Sequence, residues 1–138
     1  MTSMNHRRGL DRYQTLLLPE RLEDYIAADN PVRFLDAFVG TLDLRALGFA
    51  KATVQNTGRP PYAPADLLRL YLYGYLHRVR SSRMLEAECH RNVEVLWLLG
   101  KLAPDHKTIA DFRKDHRPAL AGVTRQFTLL CQKLELFG

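Results

Sequence analysis

Pro64-Ala65-Asp66-Leu67-Leu68-Arg69-Leu70-Tyr71-Leu72-Tyr73-Gly74-Tyr75-Leu76-His77-Arg78-Val79 is the stretch on which the fold turns. Proline at its start has a pre-set φ and no N–H to leave unpaired, so it suits a first helical position. Leu68, Tyr71, Leu72, Tyr75, Leu76 and Val79 then recur at three and four, the stripe of a 3.6-residue period. Leu67, Leu70 and Tyr73 cover much of the remaining circumference, which a helix tolerates only where neighbours surround it. The stretch predicts a central helix, and the flanking sequence must supply the helices that cover it.

Upstream, Asn30 caps and Pro31 opens a helix of roughly three turns, with Phe34, Leu35, Phe38, Val39 and Leu42 on one face. Pro19 starts a shorter one, with Glu20, Glu23 and Asp24 near its positive end and Leu22 and Ile26 sharing a face. Residues 1–18 read as a loose arm anchored by Leu16-Leu17-Leu18. Leu44, Leu47 and Phe49 lead into a connection over 50–63, which has no helical period and carries a lone Arg59. Downstream, Ser81 or Ser82 caps a helix over Arg83–Arg91, with Asn92 as terminator. Val93–Leu99 forms a compact apolar helix around Trp97, ended by Gly100. Asp105 is the best cap for a helix reaching about Asp115, and Pro118 predicts a break at Arg117. Leu120, Val123, Phe127, Leu130, Leu134 and Phe137 step by three and four through a last helix that packs along its length. The reading is all-α: an arm over 1–18 and a single multi-helix domain over 19–138, containing a helix-turn-helix-like unit and a long C-terminal helix.

A chain of 138 residues buries enough surface to fold without metal or disulfides. Cys89 and Cys131 are far apart and expected to be reduced and buried. His90 adjoins Cys89, but neighbours on a helix point about 100° apart and no second pair stands at ligand spacing, so no zinc site is expected. The N-terminus is polar and basic, unlike a signal peptide. No run reaches the roughly 18 apolar residues of a membrane span, and a cytoplasmic location is expected. The net charge of +5 is unevenly spread, with four basic against five acidic residues over 1–30 and seven against four over 101–138. Such an excess favours a polyanionic partner through counterion release.

Candidate chemistry is sparse for an enzyme. Asp105, Asp111 and Asp115 stand beside Lys107 and Lys114 in the pattern of a solvated helix face, and Glu86 and Glu88 point apart. His77, His90, His106 and His116 are scattered and read as surface or cap residues. Neither a nucleophile elbow nor a phosphate-binding glycine loop nor a zinc-protease motif is present. No catalytic and no metal residue is assigned. The basic constellation is more informative. Arg78, Arg80 and Arg83 lie in a stretch without acids, placed to grip phosphate. The run Pro104-Asp105-His106-Lys107-Thr108-Ile109-Ala110-Asp111-Phe112-Arg113-Lys114 reads as a capped helix with Ile109 and Phe112 inward and cations outward, the design by which a helix enters a DNA groove. Lys107, Thr108, Arg113 and Lys114 are the expected DNA contacts, and Arg78, Arg80 and Arg83 the expected phosphate clamps.

Six blocks taken in order resemble a known family. They are Asn30-Pro31-Val32-Arg33, Gly58-Arg59-Pro60-Pro61-Tyr62-x-Pro64, the Leu67–Tyr75 run, Ser81-Ser82-Arg83-x-Leu85-Glu86, Trp97-Leu98-x-Gly100, and Pro104-Asp105-His106-x-Thr108-Ile109-x-x-Phe112-Arg113. Over about residues 12–118 the chain resembles the N-terminal region of bacterial insertion-sequence transposases of the DDE type, the InsH-like N-terminal family. The resemblance implies a helical part that binds double-stranded DNA at the terminal repeats of a mobile element, in a protein that acts as a homo-oligomer. It also implies that a ribonuclease-H-like domain, with three acids holding a divalent metal such as Mg, would follow. These 138 residues contain no β-rich segment and no matching acids. The expectation is therefore a truncated transposase without catalytic activity or cofactor of its own. The rival reading is an interaction module whose 120–137 helix joins two chains, its basic residues serving only solvation.

Overall fold

Helix α2 (Pro64–His77) lies at the middle of the bundle and buries Leu67, Leu68, Leu70, Leu72, Tyr73 and Gly74. The computed structural model describes residues 6–13, 21–49 and 61–135. Around α2 stand α1 (Pro31–Gly40), α3 (Ser82–Arg91), α4 (Val93–Leu99), α5 (His106–Asp115) and α6 (Arg117–Leu134), preceded by a 3₁₀ turn over Leu22–Tyr25. The architecture is all-α, with no strand among the described residues. Helices α1 and α4 pack on α2, α3 packs on α4 and α5, and α6 follows α5. The expected anchor at Leu16–Leu18, the helix start at Pro19 and Glu20, the connection from 50 to 60 with Arg59, and Phe137 lie outside the described residues.

The caps follow from local chemistry. Asn30 accepts from the Val32 N–H, Ser81 from Met84 and Asp105 from Thr108, each pairing one of the amides a helix start leaves free. Asn92 serves two helices. Its N–H closes α3 on the Glu88 carbonyl, while its Oδ1 accepts from Glu94 and Val95 to open α4. Gly100 ends α4 in the left-handed region at φ 59°, a conformation glycine adopts without strain.

Three expectations need correction. Tyr75 belongs to the apolar stripe of α2 by spacing but is 47% exposed. The covered arc is turned toward Leu67, Leu70 and Tyr73, because α1 and α4 sit there and the Tyr73 hydroxyl finds Glu94 Oε1 at 2.5 Å. The break before the last helix falls at His116, since Pro118 needs a first-turn position and Arg117 becomes the first helical residue. His116 is not a surface histidine. It is buried, stacked against Phe49 at 5.2 Å and tilted against Phe112 at 4.7 Å, with Nδ1 2.9 Å from the Phe112 carbonyl.

The apolar face of α6 is turned into its own bundle. Leu120, Val123, Phe127 and Cys131 are buried, but Leu134 is 50% exposed, so the helix does not pack along its whole length as expected. Phe127 stacks on Phe34 of α1 at 6.0 Å and meets Phe38 at a tilt at 5.0 Å. At the other end, the expectation of a loose arm fails for residues 6–13, which are tied to the body by backbone and arginine contacts. The Leu10 N–H donates to the Gly100 carbonyl, and Arg12 bonds Asp36 at 3.1 Å while lying over the Trp97 ring. The Trp97 indole N–H donates to Glu23, so α4, the 3₁₀ turn and the N-terminal segment meet at one buried aromatic. Cys89 and Cys131 are free and buried, and burial pushes the Cys89 thiol up to about 12.

Candidate nucleic-acid interface

Helix α5 is built from its cap outward. Asp105 Oδ1 accepts from the Thr108 backbone at 2.8 Å. Bonds from the Thr108 side chain and then its backbone hold the Asp105 carboxyl below its ordinary value. Ile109 and Phe112 are buried as expected. Lys107 and Lys114, seven residues apart and so on one face, are both exposed with Ala110 between them. The expected contact Thr108 is not on that side. At 9% exposure its hydroxyl is engaged with the cap, because the N3 position of a capped helix turns toward the bundle here.

Arg113 occupies the flank of α5 that meets α3. Its Nη1 donates to the Arg80 carbonyl at 2.5 Å and reaches Ser82 Oγ at 3.4 Å. The guanidinium also lies 5.8 Å from the Tyr71 ring centre. Burial holds its pKa below the ordinary arginine value, yet arginine stays charged. Arg113 thus fastens the turn that carries Arg78 and Arg80 to the helix that carries Lys107 and Lys114. On its other side α5 is held by Glu86, whose Oε1 accepts from the His106 backbone at 2.9 Å and lies 2.8 Å from His106 Nδ1. These bonds, the ring contact first, lower the Glu86 pKa.

The turn after α2 is shaped by one glycine. A Cβ on Gly74 would stand 2.7 Å from the Val79 carbonyl oxygen and 2.9 Å from a Leu85 methyl, distances no side chain survives without movement. The same residue's carbonyl accepts from both Arg78 and Val79, so the chain doubles back tightly. Arg78 pays for this with a left-handed backbone at φ 58°, a region non-glycine residues avoid.

Pairing separates the cations into two groups. Arg12, Arg21, Arg33, Arg69 and Arg91 are each in an ion pair with an acid. Arg78, Arg80, Arg83, Lys107, Lys114 and Arg117 form none with the acids among the described residues, and Arg8, Arg45, Lys101, Arg125 and Lys133, elsewhere on the surface, form none either. Arg78, Arg80 and Arg83 are exposed, and Arg78, Arg80, Arg113 and Arg117 line one groove of about 800 Å³ together with Tyr71 and Tyr75. Arg117, Tyr71 and Tyr75 were not among the site residues expected from sequence: spacing marks the two tyrosines of α2 as core, and only the fold brings Arg117 of α6 beside them. The helix-turn-helix expectation is not established. α5 lies chiefly against α3 rather than against α4, its predecessor.

An all-α domain with a group of arginines and lysines free of acidic partners on one capped helix and the turns beside it is the class defined by this geometry. The family model of the transposase domain, DUF772, matches residues 20–115, and the chain belongs to that transposase-domain family. No curated protein and no solved structure matches it. Among the described residues no helix is long and apolar enough to cross a membrane.

Proposed function

We propose that this domain binds double-stranded DNA, the terminal repeats of a mobile element, during transposition, and carries no catalytic activity of its own. One observation supports this above the others: arginines and lysines without acidic partners gather on the α2–α3 turn, on α5 and at the start of α6. Unpaired cations on adjoining elements are what a polyanion releases counterions to meet. Lys107 and Lys114 are the helix residues offered to the duplex, and Arg78, Arg80 and Arg83 are offered to phosphates. Arg113 acts by holding the turn in place. Family membership supports the transposition setting.

The test is retardation of a labelled duplex across a salt series. Engagement of about four to six phosphates gives a log–log slope of roughly −4 to −5. Absence of retardation at low salt overturns the reading.

A further inference from the structure

The groove between α2 and the start of α6 has more in it than a phosphate clamp requires. Four arginines, Arg78, Arg80, Arg113 and Arg117, share its lining with Tyr71 and Tyr75, and no acid is among the lining residues. Its volume, about 800 Å³, is large enough for a nucleotide-sized group, and the groove stays open to solvent on one side. Leu76 and Leu120 contribute an apolar wall. Tyr75 is half exposed at its edge, its hydroxyl steadied by the Thr128 hydroxyl at 3.4 Å. A duplex phosphate needs only hydrogen-bond donors and cations, from side chains or backbone N–H groups, and makes no use of an aromatic face or an aliphatic wall. A concave site with aromatic rings, an aliphatic wall and arginines suits a group that is flat and apolar on one side and anionic on the other. An unpaired nucleotide is such a group, its base against tyrosine and its phosphate on arginine.

We propose that this groove receives an unpaired nucleotide adjoining the bound duplex, its base lying against Tyr75 and the apolar wall and its phosphate on Arg117 and the Arg78–Arg80 turn. The proposal rests on the duplex-binding reading above. Two features fit it. The turn is fastened by the Arg113 bond to the Arg80 carbonyl, so its cations need little ordering on binding. The exposed lysines of α5 lie on the element immediately before Arg117, so a strand leaving the duplex has a short path into the groove.

The experiment compares three labelled DNAs by fluorescence anisotropy with the full chain: a blunt duplex of about two helical turns, the same duplex with two unpaired thymidines, and the same overhang with abasic sugars. The thymidine overhang is expected to bind roughly tenfold tighter than the blunt duplex, and the abasic overhang to lose most of that gain. Tyr75→Ala, an exposed position, should erase the gain and leave the blunt-duplex affinity unchanged, while Arg117→Gln should weaken the overhang complex. Equal affinity for blunt and overhang DNA overturns this proposal and leaves duplex binding standing. An abasic overhang as tight as the thymidine one overturns the base contact. Failure to bind any of the three overturns both readings.

Discussion

At the residue scale, the α2–α3 turn shows how a strained backbone and a charge become separable. Arg78 closes α2 in a left-handed conformation that glycine occupies at lower cost by about 1 kcal/mol. Arg78→Gly is therefore expected to hold or raise the melting temperature while weakening duplex binding. A loss of both would mean that the side chain, not the backbone, supports the turn. Asp105 makes the opposite case. Removing the cap, Asp105→Ala, should cost about 1 kcal/mol of stability, read as a lower denaturation midpoint. Its carboxyl is held below the ordinary value, so its contribution is present above the usual carboxylate range near 4 and disappears as pH falls through the lowered value. Glu86 shifts in the same direction, so the chain should lose stability on acidification. In Asp105→Ala the acid-side slope should be shallower than in the parent, which urea titrations at a series of pH values would show.

At the element scale, the helices are largely visible in the sequence because their ends carry chemistry that acts locally. Asn30 with Pro31, Ser81, Asn92, Gly100 and Asp105 all stand where a cap or stop is read from neighbours within four residues, and each performs that role. What periodicity does not reveal is which part of an apolar circumference is covered. Tyr75 has the spacing of a core residue and lies at a groove, and His116 has the composition of a surface residue and lies under Phe49. Both depend on elements distant in sequence. For the same reason Thr108 could be placed on α5 but not on its correct side, and Arg117 could not be placed beside Arg78 at all. The α6 stripe gives a direct check of covered against uncovered faces. Phe127→Ala should destabilise by about 3–5 kcal/mol, whereas Leu129→Ala, 59% exposed on the outer face, should stay within about 0.5 kcal/mol. Gly74→Ala is expected to be destabilising as well, because backbone and not a flexible side-chain end stands 2.7 Å from the new methyl.

At the scale of the whole molecule, charge is partitioned along the bundle. Around Trp97, arginines are consumed in structure: Arg12 and Arg33 lie over the indole at 4.3 and 5.2 Å, and Arg33 bonds Glu23 at 2.8 Å. On α5, the α2–α3 turn and the start of α3, Arg78, Arg80, Arg83, Lys107 and Lys114 stand without acidic partners. Substitution of Lys107 and Lys114 together should therefore lower duplex affinity and reduce the steepness of its salt dependence by roughly two, with the melting curve unchanged. Substitution of Arg33 should do the reverse, lowering the melting point and leaving the salt dependence alone. Calorimetry offers a separate view of the single hydrogen bond from Arg113 to the Arg80 carbonyl. Because that tie joins two cation-bearing elements before any ligand arrives, association should proceed as the docking of a preorganised solid, with a small heat-capacity change. Cutting it would transfer the cost of arranging the turn to the moment of association, and would surface as an entropic penalty and not as a missing contact.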